Sequence, residues 1–334
     1  MIWFDLVTPK SVLFFEPIIK EIEKHHKVLV TSRGDDSYVE VNNLLDLKNI
    51  RYNSFGEYGG SDLKDKLSQA LRRQNQLNEF IQNYEISQLV NLCSVDGCRV
   101  AFGNNIKIVN FCDFPTGKDD ILTHVAKLTL PLSYKIIYPF YIPQEIFKNY
   151  CDNLYEYDFL DPIIYLQNQT KDKNYFNSLN IDKNKKTICF REEEFKSSYV
   201  LQNHMSFVYE TLLNLDVNLI IIPRYEAENL KKIFKKAIVL PEKKELSNIL
   251  PFCDLFVGGG GTINIEAVYW NIPTISTRSF LAFYDRYLID KGYMNHAKNQ
   301  KELELLIEGL LNKENNSSLK KEVDIVKLVK EVLI

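Results

Sequence analysis

The chain has 334 residues, 45% of them hydrophobic and 25% charged, with a net charge of −3. These proportions are those of ordinary globular chains and exclude collagen-like repeats, disulfide miniproteins and long disordered tracts. The slightly acidic balance also argues against a nucleic-acid partner, which needs a positive field.

A length beyond the ~250–300 residues at which single cores stop growing predicts two domains. The opening "MIWFDLV" reads as a strand, since it lacks the basic start and long apolar run of a leader peptide. "SVLFFEPIIKEIEKH" follows with helical spacing and Ser11 placed as an N-cap. "KVLVTS" is a strand, "SYVEVNNLLDLKN" a helix, "IRYNSFG" a short strand and "DLKDKLSQALRRQNQLNEFIQNY" a long amphipathic helix. "SQLVNLCS", "KIVNFCD" and "YKIIYP" continue as strands, with a helix beginning near Asp96.

Such alternation implies a parallel sheet covered by helices, because parallel strands need crossover connections. The near-continuous apolar strands fit a sheet buried on both faces. "LTLPLSYKIIYPFYIP", from Leu128 to Pro143, is broken by three prolines and a lysine and falls short of the ~20 residues of a spanning helix. The six cysteines lack paired metal spacing and a secretory context, so they read as free thiols in a cytoplasmic protein, and no metal is expected.

The polar stretch "LQNQTKDKNYFNSLNIDKNKK" separates this block from a second one. There "TICFR", "NLIIIPR", "AIVLP", "DLFVGG" and "PTIST" read as strands. "SSYVLQNHMSFVYETLLNL", "EAENLKKIFKK", "KELSNILPFC" and "TINIEAVYWN" read as helices. The division expected is an N-terminal domain over 1–165 and a C-terminal domain over 166–334. The terminal helices, from Lys301, close the second domain or pack back toward the first.

"FVGGGGTINIEA", Phe256 to Ala267, is the most specific stretch of the chain. A buried strand runs into four glycines and then a helix, so free backbone N–H groups and the positive end of the helix dipole form an anion site. Gly258, Gly259, Gly260 and Gly261 let a phosphate approach without a Cβ, and such a turn is expected to use positive φ. Glu266, one helical turn beyond Thr262, is placed to bind a ribose diol. A Walker A loop and the nicotinamide fingerprint are both absent.

These residues resemble the GT-B superfamily, which includes MurG-like glycosyltransferases and hydrolysing UDP-N-acetylglucosamine 2-epimerases. "DLFVGGGGTINIEAVYWNIPTIS" is similar to its nucleotide-sugar element. "FDLVTPKSVLFFEPIIKEIEKHHKVLVTSR", "TLPLSYKIIYP", "FLDPIIYL", "IIIPRYEAE" and "RYLIDKGYM" look like the DUF354 family within that superfamily. The resemblance implies an α/β protein of GT-B architecture, with two Rossmann-like doubly wound parallel-sheet domains facing across a cleft, the first on the acceptor side and the second on the nucleotide-sugar side. The chain departs from the family at Ser11 and Leu13, where the first loop usually carries histidines. It also lacks the Gly-Thr-Arg-Pro-Glu start of the epimerases.

Polar residues at strand ends are the candidates for chemistry, because ligands of open α/β sheets bind there. Arg191 and Arg224 end strands of the second block and suit a diphosphate; the rival role for each is an inter-element salt bridge. Asp113 is the first choice for a base and Asp96 the second, with helix or turn capping as the alternative. Asp5, Thr8 and Ser11 surround the first strand–helix turn, where a sugar is expected, although Ser11 also serves as a plain cap. Arg33 is read either as orienting an anionic acceptor or as pairing with Asp35 or Asp36. None of the five histidines is assigned a catalytic role.

The leading reading is a metal-independent, nucleotide-sugar-dependent glycosyltransferase without cofactor, acting in the cytoplasm or at the inner membrane face on a glycan or lipid-linked acceptor. Phe14, Phe15 and the Tyr138 to Tyr141 segment are considered as lipid contacts and as core residues. The alternatives are a hydrolysing nucleotide-sugar 2-epimerase and a non-catalytic sugar-nucleotide-binding protein.

Overall fold

The computed structural model describes residues 1–34, 40–57, 59–60, 62–193, 206–224, 227–240, 246–312, 319 and 322–333. Asp35, Asp36, His204 and Glu226 lie outside these residues. The chain divides into two compact units, one of Met1–Tyr165 with Glu322–Ile334, the other of Leu166–Lys321.

Unit one begins β1 (Ile2–Leu6), α1 (Pro9–Ile22), β2 (Val28–Ser32), α2 (Glu40–Leu47), β3 (Asn53–Ser54), α3 (Leu63–Ile81). It continues β4 (Gln88–Asn91), α4 (Val95–Gly103), β5 (Lys107–Phe111), α5 (His124–Thr129), β6 (Lys135–Pro139), α6 (Glu145–Lys148), β7 (Leu154–Tyr157), and α7 (Ile163–Leu166) lies at its boundary. The seven strands form one sheet in the order β3-β2-β1-β4-β5-β6-β7, and every pair in it is parallel. The order reverses between β1 and β4, so the loops after these two strands diverge and leave a crevice at the carboxyl edge.

Unit two runs α8 (Asn174–Ser178), β8 (Thr187–Arg191), α9 (Ser206–Leu213), β9 (Asn218–Ile222), α10 (Ala227–Ile233), β10 (Ile238–Val239). Next come β11 (Leu255–Gly258), α11 (Gly261–Tyr269), β12 (Thr274–Ser276), α12 (Phe283–Asp290), β13 (Asn295–His296) and α13 (Gln300–Leu310). Its six strands are ordered β10-β9-β8-β11-β12-β13, again all parallel. Here the order reverses between β8 and β11. The last helix, α14 (Ile325–Val332), packs against α1 and is tied to unit one where Gln88 donates to the Val332 carbonyl at 2.8 Å.

The core of each unit follows from its strands. Ile188, Phe190, Leu219, Ile221, Leu255 and Val257 are buried together in unit two. In unit one Phe14, Phe15 and Phe111 pack with ring centroids 5.1–5.3 Å apart. Phe14 and Phe15 are therefore core residues, fully enclosed, and are unavailable to a lipid. Among the described residues no helix is long and apolar enough to cross a membrane.

Two expectations need correction. "KELSNILPFC" is not an α-helix: its described part makes two 3-10 turns, Leu246–Asn248 and Leu250–Phe252, since Pro251 has no N–H for a continuing ladder. Ser11 is not the N-cap of α1. Thr8 holds that place, its side chain accepting from the Ser11 amide, while the Ser11 hydroxyl donates to the Thr8 carbonyl at 2.7 Å. The strand β7, the helix α12, the strand β13 and the short helices α5 to α8 are additional to the sequence reading.

Candidate functional site

At the reversal point of the second sheet, β11 runs into Gly259 and Gly260 before α11 begins. The four glycines do not use positive φ. Among the described residues the glycines with that conformation are Gly56, Gly60 and Gly292, whereas Gly260 is extended at φ −123. What the glycines provide is room. A methyl group at Gly258 would collide with the Asn264 carboxamide and the Phe256 ring, one at Gly259 would lie 2.6 Å from the Glu193 amide nitrogen, and one at Gly261 would collide with the Tyr284 hydroxyl.

Gly260 differs from its neighbours, because a methyl group there meets only the Arg224 guanidinium at 3.3 Å and Ile263 at 3.6 Å. It is the N-cap of α11 and brings no side-chain acceptor to the first amides of that helix. The structure thus brings Arg224 to the glycine turn, together with the backbone of Arg191, whose carbonyl accepts from Gly259 at 3.0 Å. Glu266 is buried in the second turn of α11, and Thr262 lies half-buried in the first. Asn264 Oδ1 is buried beside the turn without a hydrogen-bond partner.

Residues that the sequence did not single out complete this edge. Glu193 accepts from the Ser279 amide at 3.0 Å and hydroxyl at 2.8 Å, tying the loop after β12 to the end of β8. Arg278 donates to Asp285 at 2.7 Å and to the Tyr284 hydroxyl. Burial pulls the Arg278 guanidinium down, but Tyr284 and Asp285 outweigh it and the net is upward. Burial pushes the Asp285 carboxyl up against the opposing charge of Arg278.

In unit one the reversal point carries a buried ionic network. Asp5, on β1, receives a forked contact from Arg73 at 2.6 and 3.2 Å, a bond from Thr31 at 2.6 Å and one from Ser94 at 2.5 Å. Asp96 lies in the first turn of α4, which Ser94 caps. It accepts from Gln74 at 3.0 Å and pairs with Arg73 at 3.4 Å.

Asp113, two residues beyond β5, pairs with Lys10. Lys10 lies 2.6 Å from Asp161 as well, and Asp161 accepts from the Tyr157 hydroxyl at 2.6 Å. Both sequence-chosen carboxylates therefore sit at the carboxyl edge, each beside a cation that the strand pattern does not reveal. One signal for Lys10 was available: a lysine in the first turn of a helix opposes the dipole and calls for a nearby acid.

The cysteines are all free thiols, and among the described residues no three His, Cys, Asp or Glu side chains are grouped to hold a metal ion. The remaining described histidine near the site, His296, contacts the Arg278 carbonyl at 3.0 Å.

Comparison with known proteins places this geometry in a family. An uncharacterized protein of Methanocaldococcus jannaschii is 29% identical over 326 residues, covering 93% of this chain and 92% of its own. Among solved structures, UDP-GlcNAc 2-epimerase of the same organism, in complex with UDP-GlcNAc and UDP, superposes with a TM-score of 0.76 at 15% identity, covering 99% of both chains. The spinosyn rhamnosyltransferase SpnG superposes with a TM-score of 0.61 at 13% identity, covering 99% of this chain and 95% of its own. At such identities the likeness is one of fold, the GT-B fold shared with the epimerases. A family model described as a protein of unknown function, DUF354, matches residues 1–334, and the chain belongs to that family.

Proposed function

We propose that the protein is a nucleotide-sugar-processing enzyme and that its reaction is epimerisation at C2 of a UDP-linked sugar. The observation that carries this reading is the uncapped amino end of α11 at a sheet reversal point, with the Arg224 guanidinium over Gly260 and Glu266 buried one helical turn on. Backbone amides and the two arginines, Arg191 and Arg224, suit a diphosphate, and a carboxylate suits a ribose diol. Support for epimerisation over transfer comes from the fold, which is more like the epimerase structure than the rhamnosyltransferase.

The chemistry asked of unit one follows. A carboxylate removes the C2 proton, the C–H electron pair becomes a C1–C2 double bond, and the C1–O bond leaves with its electrons on the diphosphate. Protonation of C2 from the opposite face and attack at C1 by water complete the hydrolysing version. Departure of the diphosphate is eased by the same amides and arginines. Asp113 and Asp96 supply the two carboxyl groups, Asp113 as base, and each keeps part of its side chain accessible at 13% and 10%.

Glycosyl transfer to a glycan or lipid-linked acceptor is the second reading, supported by the likeness to the rhamnosyltransferase. One assay separates the two. The protein is incubated with UDP-N-acetylglucosamine in deuterated water without any acceptor, and the sugar is followed by proton NMR. Deuterium at C2 with a changed sugar configuration is expected, while UDP binding without exchange at C2 would overturn epimerisation and leave transfer standing. Absence of UDP binding in calorimetry would remove both.

A further inference from the structure

Lys10 is the second residue of α1, a helix with no acid in its first turn. A cation at that end opposes the helix dipole, and local rules are broken in this way chiefly at functional sites. Two carboxylates from distant sequence hold the ammonium there: Asp113 after β5 and Asp161 after β7. Asp161 is 1% exposed and takes the Tyr157 hydroxyl on its other oxygen. The line of contacts therefore runs from a buried phenol, through a buried carboxylate and an ammonium, to a carboxylate that reaches solvent.

We propose that Lys10 and Asp161 are a positioning pair for acid–base chemistry at Asp113: Asp161 fixes the ammonium, and the ammonium sets the orientation and ionisation of the Asp113 carboxylate. This rests on the reading of Asp113 as the base. Burial pushes the Asp161 carboxyl up, Lys10 opposes that, and Asp113 adds to it. The phenols of Tyr157 and Tyr141 and the thiol of Cys112 also face the cluster. Lys10 is thus the cation shared by two neighbouring carboxylates. Without it two carboxyls would face each other with no cation between them, the arrangement in which like charges disfavour ionising both and titration belongs to the pair.

The test is the pH dependence of C2 deuterium exchange in wild type, Lys10→Met, Lys10→Gln, Lys10→Arg and Asp161→Asn, each checked for folding by circular dichroism. Lys10→Met and Lys10→Gln are expected to lower kcat by about tenfold or more at neutral pH, with KM nearly unchanged, and to move the acidic limb upward by about one pH unit. Lys10→Arg is expected to restore the limb, and Asp161→Asn to lower kcat. A folded Lys10→Met or Lys10→Gln protein with the wild-type limb, or with a change in KM alone, overturns the proposal.

Should wild type exchange no C2 proton, the reaction assigned above fails by itself. Carbon-13 NMR titration of the aspartate carboxyls then decides the positioning role. A carboxyl resonance that titrates at higher pH in Lys10→Gln than in wild type sustains the coupling, and superimposable titrations refute it.

Discussion

Arg73 and Asp5 form a forked ion pair in the interior of unit one, Nη2 to Oδ1 at 2.6 Å and Nη1 to Oδ2 at 3.2 Å, with both side chains at most 1% exposed. The arginine comes from α3 and the aspartate from β1, so the pair locks the long helix to the strand at the sheet's reversal point. The surroundings are shaped to admit it. At Gly56, whose φ is +81, an added methyl group would lie 2.9 Å from the Arg73 stem, and one at Gly97 would lie 2.6 Å from the Asp5 carboxylate.

Removing one partner of such a pair strands the other charge in a dry interior. Arg73→Met is expected to cost about 3–5 kcal/mol, read as a lower urea midpoint with little change in slope. Arg73→Lys should recover only part of this, because an ammonium cannot reproduce the fork. A loss below 1 kcal/mol for Arg73→Met would show that the pair contributes little.

The glycine turn yields a paired prediction. Gly261→Ala forces Tyr284 away and breaks its contact with Arg278, so it should lower stability by roughly 1–3 kcal/mol, the usual cost of overpacking. Gly260→Ala meets only the end of Arg224 and Ile263, and its extended backbone accepts alanine. Its stability should stay within about 0.5 kcal/mol of wild type, while UDP affinity falls. Thermal unfolding and calorimetry on the two variants separate a packing role from a binding one.

The alkaline limit of stability has a defined sign. Burial holds the Tyr157 hydroxyl well above the ordinary phenol value. Burial pulls Lys10 down, but Asp113 and Asp161 carry it above the ordinary lysine value. Both groups keep their protons in the fold at pH values where the unfolded chain has released them. The stabilisation is complete below about pH 10 and is lost as pH rises beyond it, each group contributing up to about 1.4 kcal/mol per pH unit. Tyr157→Phe should make urea stability fall less steeply, by up to one proton, as pH rises from about 10 to 11; an unchanged slope would contradict the assignment.

Glu266 can be tested for its role toward a ribose apart from its role in folding. Wild type is expected to prefer UDP over its 2′-deoxy analogue by about 10- to 150-fold, the worth of a hydrogen bond to a charged group. Glu266→Gln should bind the two nearly alike. Equal preference in wild type would remove the diol contact, whatever the fate of the anion site.

The parallel sheets were legible in the sequence because strands buried on both faces are runs of apolar residues, as in "TICFR", "NLIIIPR" and "DLFV". The glycine turn was legible for a similar reason: four consecutive glycines are tolerated only where backbone must be approached closely. Their purpose was only partly so. Phosphate access would explain all four, yet Gly258, Gly259 and Gly261 are demanded by Asn264, Glu193 and Tyr284 of the chain itself, and of these Glu193 and Tyr284 lie outside the motif.

The sequence by itself determined the α/β alternation of the fold, since that depends on local periodicity, and it proposed a candidate anion site from one contiguous motif. Only the tertiary structure decided which charges meet. Lys10 stands 103 residues from Asp113, and Glu193 stands 86 from Ser279, and no local pattern links them. They converge because parallel strands deliver their carboxyl ends to one edge, where charges taken out of water are retained only if the fold supplies their partners.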